Sequence, residues 1–189
     1  MTAKPWTVTA SSTLFHDRWL KVRADTCLTA EGVEISPYYI LDYPDWIQIV
    51  AIDADDHILL VEQYRHGAGV MSLELPTGGM EPADANPLAA GARDLAEENG
   101  YTARTWRLVS SLSPNPANHS NRCHILLATD LAQTTEPADD PTERLRLVRL
   151  PLAEAVGLAL SGGMIQQLHV AALLLGLTAD GRWPYGPVA

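Results

Sequence analysis

The sequence has 189 residues, of which 47% are hydrophobic and 19% charged, with a formal net charge of −10 at pH 7. A chain of this length can form a sizeable core. Its negative net charge argues against binding nucleic acid or an anionic membrane by charge attraction. It does not argue against a small phosphorylated ligand whose charge a bound cation offsets. The first residues lack an apolar signal core, and no run approaches the roughly 20 apolar residues that cross a bilayer. The two cysteines, Cys27 and Cys123, are far apart in the sequence, so we expect reduced thiols. Together these features predict a cytoplasmic protein.

Short strands are predicted near the N-terminus. Residues 19–28 alternate between apolar and polar, and 33–41 follow as a partner strand. Pro37 interrupts this partner and indicates an edge or a bulge. We therefore expect 1–42 to form a small antiparallel sheet, with 43–189 as a separate domain.

The second part begins with two strands and a helix. Residues 46–52 predict a buried strand, and residues 57–65 predict the next strand. A helix is predicted after them, because Asn86 suits the N-cap, Pro87 the first helical position, and Gly100 the residue just past the end.

Further strands and two helices are predicted beyond this helix. The strands lie at 106–112, 123–129 and 145–150, and the helices at 151–160 and 165–177. Between them lie a polar loop at 113–122, rich in asparagine and proline, and an acidic loop at 133–143. Polar loops of this kind are often functional.

The predicted helix carries an unusual concentration of acids. At about 100° per residue, one side holds Leu88, Ala92, Leu95 and Asn99, and the other holds Arg93, Asp94, Glu97 and Glu98. The acids repel one another, and they lie near the C-terminal end of the helix, where the helix dipole is negative. Arg93 can pair with Glu97 but cannot neutralise the whole group. Such a cluster indicates a magnesium site, and a merely solvated acidic face is the alternative.

Residues 75–101 resemble the signature of the Nudix hydrolases, G-x5-E-x7-R-E-U-x-E-E-x-G-U, in which U is a bulky apolar residue. Counted back from Gly100, the matches are Arg93, Asp94, Leu95, Glu97 and Glu98, and Tyr101 closes the signature. Asp94 departs from the family's glutamate by one methylene.

The upstream acid of the signature can be aligned in two ways. Starting from Gly79 puts Ala85 in its place, whereas starting from Gly78 puts Asp84 there, with one extra residue before Arg93. We prefer Gly78, because its Leu-Pro-Thr-Gly entry resembles the family's Leu-Pro-Ala-Gly. In the family this acid braces the loop and the arginine. The resemblance thus gives a structural role to Gly78, Gly79, Asp84, Arg93 and Gly100.

The resemblance implies an α/β fold, namely an α/β/α sandwich around a mixed sheet, and Mg²⁺ as cofactor with Mn²⁺ as an alternative. Asp94 and Glu98 would hold the metal, with the main-chain carbonyl of Thr77 as a further ligand. Glu97 would hold metal or act as the general base, and Glu143 is the alternative base. Rivals for that place in the same loop are Glu136, Asp139 and Asp140.

Residues 62–66 and 73–76 resemble the ADP-ribose and ADP-sugar branch of the superfamily. This resemblance implies hydrolysis of the pyrophosphate bond of a nucleoside diphosphate derivative, with ADP-ribose giving AMP and ribose 5-phosphate. It also implies a homodimer built through the N-terminal strands. The alternative is a catalytically weakened Nudix-fold module that binds an ADP-containing ligand.

Five residues are candidates for substrate binding. Arg65 suits a phosphate, because its planar fork matches phosphate oxygens, although a structural salt bridge is the alternative. Trp46 would stack on adenine, as aromatics do in related pyrophosphatases, or belong to the core, and Trp19 is a second candidate of this kind. Asn118 and Arg122, in the polar loop, would contact ribose or phosphate.

Overall fold

The computed structural model describes residues 4–134 and 145–182, which form two compact units. The first unit contains the N-terminal residues through Pro44 and the loop Ser113–Arg122. The second contains Asp45–Leu112 and the residues from Cys123 onward. Within the described ranges, no helix has the length and apolar character needed to span a membrane.

Three antiparallel strands make the sheet of the first unit. They are β1 (Thr7–His16), β2 (Lys21–Leu28) and β3 (Glu34–Asp42), in the order β1-β2-β3. Pro37 lies in β3, an edge strand, where a residue without an N–H is tolerated. The small antiparallel sheet predicted from the sequence is therefore confirmed.

The second unit holds seven strands and three helices in its described part. They are β4 (Trp46–Ala51), β5 (His57–Arg65), β6 (Val70–Glu74), β7 (Thr77–Gly79), α1 (Pro87–Asn99), β8 (Tyr101–Leu112), β9 (Cys123–Gln133), β10 (Arg146–Pro151), α2 (Leu152–Ser161) and α3 (Gln167–Ala179). One sheet has the order β10-β5-β6 and the other β7-β4-β9-β8. The second sheet is mixed, because β4 and β9 are parallel while the other neighbours are antiparallel.

Strand β4 carries core residues on both faces. Ile47, Ile49 and Ala51 pack in one hydrophobic cluster with Leu95 of α1. Val50 packs in a second cluster, to which α2 and α3 contribute their buried side chains. Helices therefore cover both faces of the mixed sheet, which confirms the expected α/β/α sandwich.

Helix α1 begins and ends where the sequence predicts. The Asn86 side chain accepts the Ala89 N–H at 3.0 Å, and Pro87 is the first helical residue. Gly100 terminates the helix with φ = 73°, a left-handed conformation that glycine adopts without steric penalty.

The burial of α1 differs at two positions from the two sides that helical periodicity defines. Ala92, on the side with Leu88 and Leu95, is exposed, whereas Asp94, on the side with Glu97 and Glu98, is 3% exposed. The cause is the packing of α1: besides Leu95, the buried residues Ala90 and Gly91 face the interior, and this rotates Asp94 inward.

Alanine substitutions at two helix glycines should change the free energy of unfolding in opposite directions. A Cβ on Gly176 of α3 would lie 2.7 Å from Val50 Cγ2 and 3.0 Å from Val50 Cβ, whereas one on Gly157 of α2 meets no described atom within 4 Å. Gly176→Ala should lower the free energy of unfolding by about 1–3 kcal/mol through overpacking. Gly157→Ala should raise it by about 0.5–1 kcal/mol, because alanine is the better helix former. Urea denaturation of both variants tests this, and stabilisation by both would contradict the packing of α3 on β4.

Candidate active site

The loop between β6 and α1 is held against strand β4. The Ile49 N–H donates to the carbonyl of Pro76 at 2.9 Å, and the Thr77 hydroxyl donates to the carbonyl of Ile47 at 2.5 Å. Strand β7 pairs antiparallel with the first half of β4. The segment that contains the predicted carbonyl ligand, Thr77, is thus anchored to the central sheet.

Gly78 of this loop lies directly against Asp94 of α1. A Cβ at Gly78 would overlap Asp94 Oδ2 and lie 2.8 Å from Asp94 Cγ, whereas one at Gly79 would meet no described atom within 4 Å. The loop and the helix approach this closely only because residue 78 has no side chain.

Asp94 is a buried carboxyl with an incomplete set of partners. Arg93 donates to Oδ1, but Oδ2 has no hydrogen-bond partner among the residues that the structure describes. Burial raises the pKa of the Asp94 carboxyl from 3.8 to about 6; Arg93 opposes the shift, while Asp84 and Glu97 add to it. A buried oxygen without a partner is costly, and a cation would satisfy it.

Arg93 gathers several carboxylates. Its Nη2 lies 2.9 Å from Asp84 Oδ2, and its Nη1 lies 3.6 Å from Glu81 Oε1 and 3.7 Å from Glu97 Oε2, in addition to the contact with Asp94. The hydrogen bond from Arg93 lowers the pKa of the Asp84 carboxyl, which also accepts the Glu81 N–H at 2.7 Å. Asp84 thus connects loop and arginine, which is the role that alignment from Gly78 assigns to the upstream acid.

The acids of α1 have the chemistry of a site for a hard divalent cation. Asp94, Glu97 and Glu98 are related by three and four residues, so they lie on adjoining turns of one helix face and offer only oxygen ligands. In the described ranges, no three acidic, histidine or cysteine side chains are already grouped closely enough to hold a metal ion. The Glu97 side chain is 65% exposed and therefore free of packing that would prevent it from turning toward Asp94. The donor set fits such a cation without being fully preassembled.

Arg65 makes the salt bridge that was the alternative to phosphate binding. Its Nε lies 2.9 Å from Glu74 Oε1 and its Nη2 lies 2.5 Å from Glu74 Oε2, a bidentate pair. Burial would raise the pKa of the Glu74 carboxyl, but hydrogen bonds from Arg65 and His169 hold it well below its usual range. The Arg65 side chain is 40% exposed, so a phosphate contact stays a prediction.

A buried hydrogen-bond chain behind Glu74 escaped the sequence analysis. His169 of α3 contacts Glu74 and Gln48, and the Cys123 thiol donates to Gln48. The detectable signal was a histidine within the apolar stretch of the last helix, together with a glutamine in the buried strand β4. Sequence spacing could not join residues as distant as 48 and 169.

The aromatic and loop candidates are distributed over both units. Trp46, in the second unit, is the half-buried first residue of β4. Trp19, in the first unit, is exposed and has the Arg18 guanidinium 4.3 Å from its ring centroid. Their contact with adenine stays a prediction.

The loop Ser113–Arg122 is bound into the first unit. The Asn118 side-chain oxygen accepts a hydrogen bond from the Asn115 side chain at 2.8 Å, and the main-chain carbonyl of Asn118 accepts the Leu41 N–H at 2.8 Å. Arg122 is exposed. Roles in substrate binding for Asn118 and Arg122 stay predictions.

Glu143, the alternative general base, and its rivals Glu136, Asp139 and Asp140 lie outside the described residues.

Two family models match the chain. The NUDIX domain model matches residues 44–168, and the model of the nucleoside diphosphate sugar hydrolase N-terminal domain matches 6–41. With this match and the site described above, the chain belongs to the Nudix family and is a Nudix hydrolase by fold and signature.

Individual relatives agree with this assignment. The chain is 33% identical over 129 residues to the ADP-ribose pyrophosphatase of Mycobacterium tuberculosis, covering 68% of this chain and 62% of that protein. It is 33% identical over 129 residues to the ADP compounds hydrolase NudE of Escherichia coli, covering 68% of each. It is 28% identical over 144 residues to the methanol dehydrogenase activator of Bacillus methanolicus, covering 76% of this chain and 77% of that protein. A crystal structure of an ADP compounds hydrolase aligns with a TM-score of 0.83 at 28% identity, over 97% of this chain and 100% of that one.

The raised pKa of Asp94 predicts a pH dependence of stability in the metal-free protein. Its folded-state pKa of about 6 exceeds its ordinary value of 3.8, so the folded protein binds the proton more tightly than the unfolded chain does. The free energy of unfolding contributed by this group should therefore fall as pH rises from about 4 to about 6, by roughly 3 kcal/mol. Asp94→Asn should lose this part of the pH dependence in denaturation with a chelator present, and identical pH profiles for both proteins would contradict the prediction.

Proposed function

We propose that this protein is a magnesium-dependent hydrolase of the pyrophosphate bond in nucleoside diphosphate derivatives, with ADP-ribose as substrate and AMP and ribose 5-phosphate as products. The observation that carries the proposal is the buried Asp94 carboxylate, which faces the Gly78 loop and has an oxygen without a described partner. The relatives named for ADP-ribose and ADP compounds support the choice of substrate.

The metal ligands would be Asp94, Glu98 and the carbonyl of Thr77, with Mn²⁺ as an alternative to Mg²⁺. Glu97 would either join them or serve as the general base. A bound divalent ion would offset the negative charge of the pyrophosphate, polarise its P–O bonds and make bound water more acidic. The buried Oδ2 of Asp94 supports this ligand set, because its need for a partner is the one that a cation supplies.

Hydrolysis requires a water to attack one phosphorus while the bridging anhydride bond breaks. Glu97, exposed and only partly engaged by Arg93, would remove a proton from the attacking water. The bridging oxygen would leave with the electrons of the broken bond, as part of a phosphate monoester. Glu143 remains the alternative base.

The remaining candidates would position the substrate. Arg65, whose side chain is 40% exposed, would contact a phosphate while Glu74 holds the guanidinium in a fixed orientation. Trp46 would stack on adenine, with Trp19 as a second candidate for this role, and Asn118 and Arg122 are candidates for contact with ribose or phosphate.

A homodimer formed through the first unit is part of the proposal. Strand β1 is exposed along its whole length, and large apolar side chains such as Trp6, Leu14 and Phe15 are about half exposed. Large apolar side chains left exposed on a strand are available for an interface with a second copy of the chain. The two free buried thiols, Cys27 and Cys123, are consistent with a cytoplasmic location, and the net charge of −10 favours a small-molecule partner over nucleic acid.

The activity can be measured by coupling to a phosphatase. ADP-ribose has no terminal phosphate, whereas both expected products are phosphate monoesters, so inorganic phosphate should appear only when protein, Mg²⁺ and phosphatase are all present. A chelator should abolish its release, and added Mg²⁺ or Mn²⁺ should restore it. No turnover of ADP-ribose or of a panel of nucleoside-diphosphate sugars and dinucleotides would reject the proposal.

The two loop glycines provide a matched pair of variants. Gly78→Ala should lower kcat/KM on ADP-ribose by roughly a hundredfold, because the added methyl group overlaps Asp94 Oδ2 and displaces a metal ligand. Gly79→Ala, with open space around its Cβ, should stay within about threefold of wild type. Steady-state kinetics on folded protein compares them, and equal losses would show that the Gly78–Asp94 contact is not needed for turnover.

The second candidate is a catalytically weakened Nudix module that binds an ADP-containing ligand. It is favoured by Asp94 standing where the family has glutamate, and by the engagement of that carboxylate with Arg93. Isothermal titration with ADP-ribose separates the two functions. Tight binding that needs no metal and yields no product indicates the module, whereas turnover that depends on Mg²⁺ indicates the enzyme.

A further inference from the structure

We infer that His169 is a positioning residue of the candidate site, and that it holds the loop 75–79 in place through Glu74 and Gln48. The residue lies on α3 and is 1% exposed. It touches none of the proposed metal ligands, so it would act through its two partners. The kinetic consequence rests on the proposed function, whereas the structural consequence does not.

The imidazole bridges two buried polar side chains. Its Nε2 lies 3.1 Å from Glu74 Oε2, and its Nδ1 lies 3.1 Å from Gln48 Nε2. Each partner has a further contact, since Arg65 pairs with Glu74 and the Cys123 thiol lies 3.2 Å from Gln48 Oε1. A buried histidine is costly unless both ring nitrogens have hydrogen-bond partners, and both nitrogens of His169 have one.

The hydrogen bonds of this chain all point toward Glu74. Because Gln48 Oε1 accepts from the Cys123 thiol, its Nε2 is the end that donates to His169 Nδ1. A neutral imidazole that accepts at Nδ1 carries its proton on Nε2 and donates it to Glu74. The carboxylate therefore receives hydrogen bonds from both His169 and Arg65.

The bridge connects the residue before the loop with the strand that pairs with the loop, and these lie in two different sheets. Glu74 is the last residue of β6, in the sheet β10-β5-β6, and leads directly into the loop. Gln48 belongs to β4, in the sheet β7-β4-β9-β8, and is the register partner of Thr77. His169 thus holds the residue before the loop and the strand position opposite Thr77. This would fix the carbonyl of Thr77 and the approach of Gly78 to Asp94.

Two substitutions of His169 separate the two contacts. The side-chain nitrogen of glutamine reaches the place of Nε2, so His169→Gln can keep the hydrogen bond to Glu74. The shorter asparagine reaches only the place of Nδ1, so His169→Asn leaves Glu74 without this donor. Leu173→Ala is the matched control, because Leu173 lies on the same helix in the apolar core, and its truncation destabilises the protein while every hydrogen bond of the bridge keeps both of its partners.

The kinetic test uses the whole protein with ADP-ribose and Mg²⁺ at a temperature where circular dichroism shows every variant fully folded. His169→Asn should lower kcat by roughly ten- to a hundredfold and raise the Mg²⁺ concentration needed for half-maximal rate, since the loop ligand is displaced. His169→Gln should stay within about threefold of wild type. Leu173→Ala should lower the melting temperature with kcat and the Mg²⁺ requirement unchanged. If both His169 variants behave like Leu173→Ala, the positioning role is overturned.

A second readout does not depend on activity. In metal-free, ¹⁵N-labelled protein, the amide resonances of Thr77, Gly78 and Gly79 should shift in His169→Asn and not in Leu173→Ala. Unchanged resonances in His169→Asn would overturn the inference. If wild-type protein hydrolyses nothing, the proposed function fails while these resonances still decide the role of His169.

Discussion

The contact between a loop glycine and a buried carboxylate is the constraint on which the rest of the candidate site depends. Gly78 and Asp94 approach so closely that a methyl group cannot fit between them. Strand β7 is held to β4 by backbone pairing, and α1 is held to the same strand by the core around Leu95. Because both elements pack on one strand, the loop and the helix face meet without freedom to separate, and the Asp94 carboxylate is enclosed between them.

The pKa values of two buried carboxyl groups in the second unit shift in opposite directions. Glu74 receives a bidentate arginine and a histidine, and these donors keep its pKa low despite burial. Asp94 shares a single arginine with Asp84, Glu81 and Glu97, so burial prevails and its pKa rises to about 6. A fully satisfied carboxylate such as Glu74 suits a structural role. Asp94 is left with a buried oxygen that has no partner among the described residues, and this supports its proposed role as a metal ligand.

The elements that local sequence governs were predictable. The ends of α1 follow from Asn86, Pro87 and Gly100, whose preferences are set by backbone geometry and need no distant partner. The strand His57–Arg65 was predictable because it contains the continuous apolar run 58–61. Strand β7 has only three residues and no pattern of its own, since it exists through pairing with β4. The predicted loop at 113–122 has the right bounds, but only contacts could assign it to the unit of the N-terminal sheet.

The sequence by itself determined the boundaries of the central helix and the spacing of the acids in the signature, because these depend on positions along the chain, and the fold class was what the resemblance of that signature to the Nudix family implied. The tertiary structure decided which acid is buried, that Arg65 pairs with Glu74, and that His169 joins Gln48 to Glu74 across two sheets. These facts arise from packing between residues distant in sequence. Helical periodicity placed Asp94 on one side with Glu97 and Glu98, but the burial of a helix face is set by the surface it packs against, which no local pattern encodes.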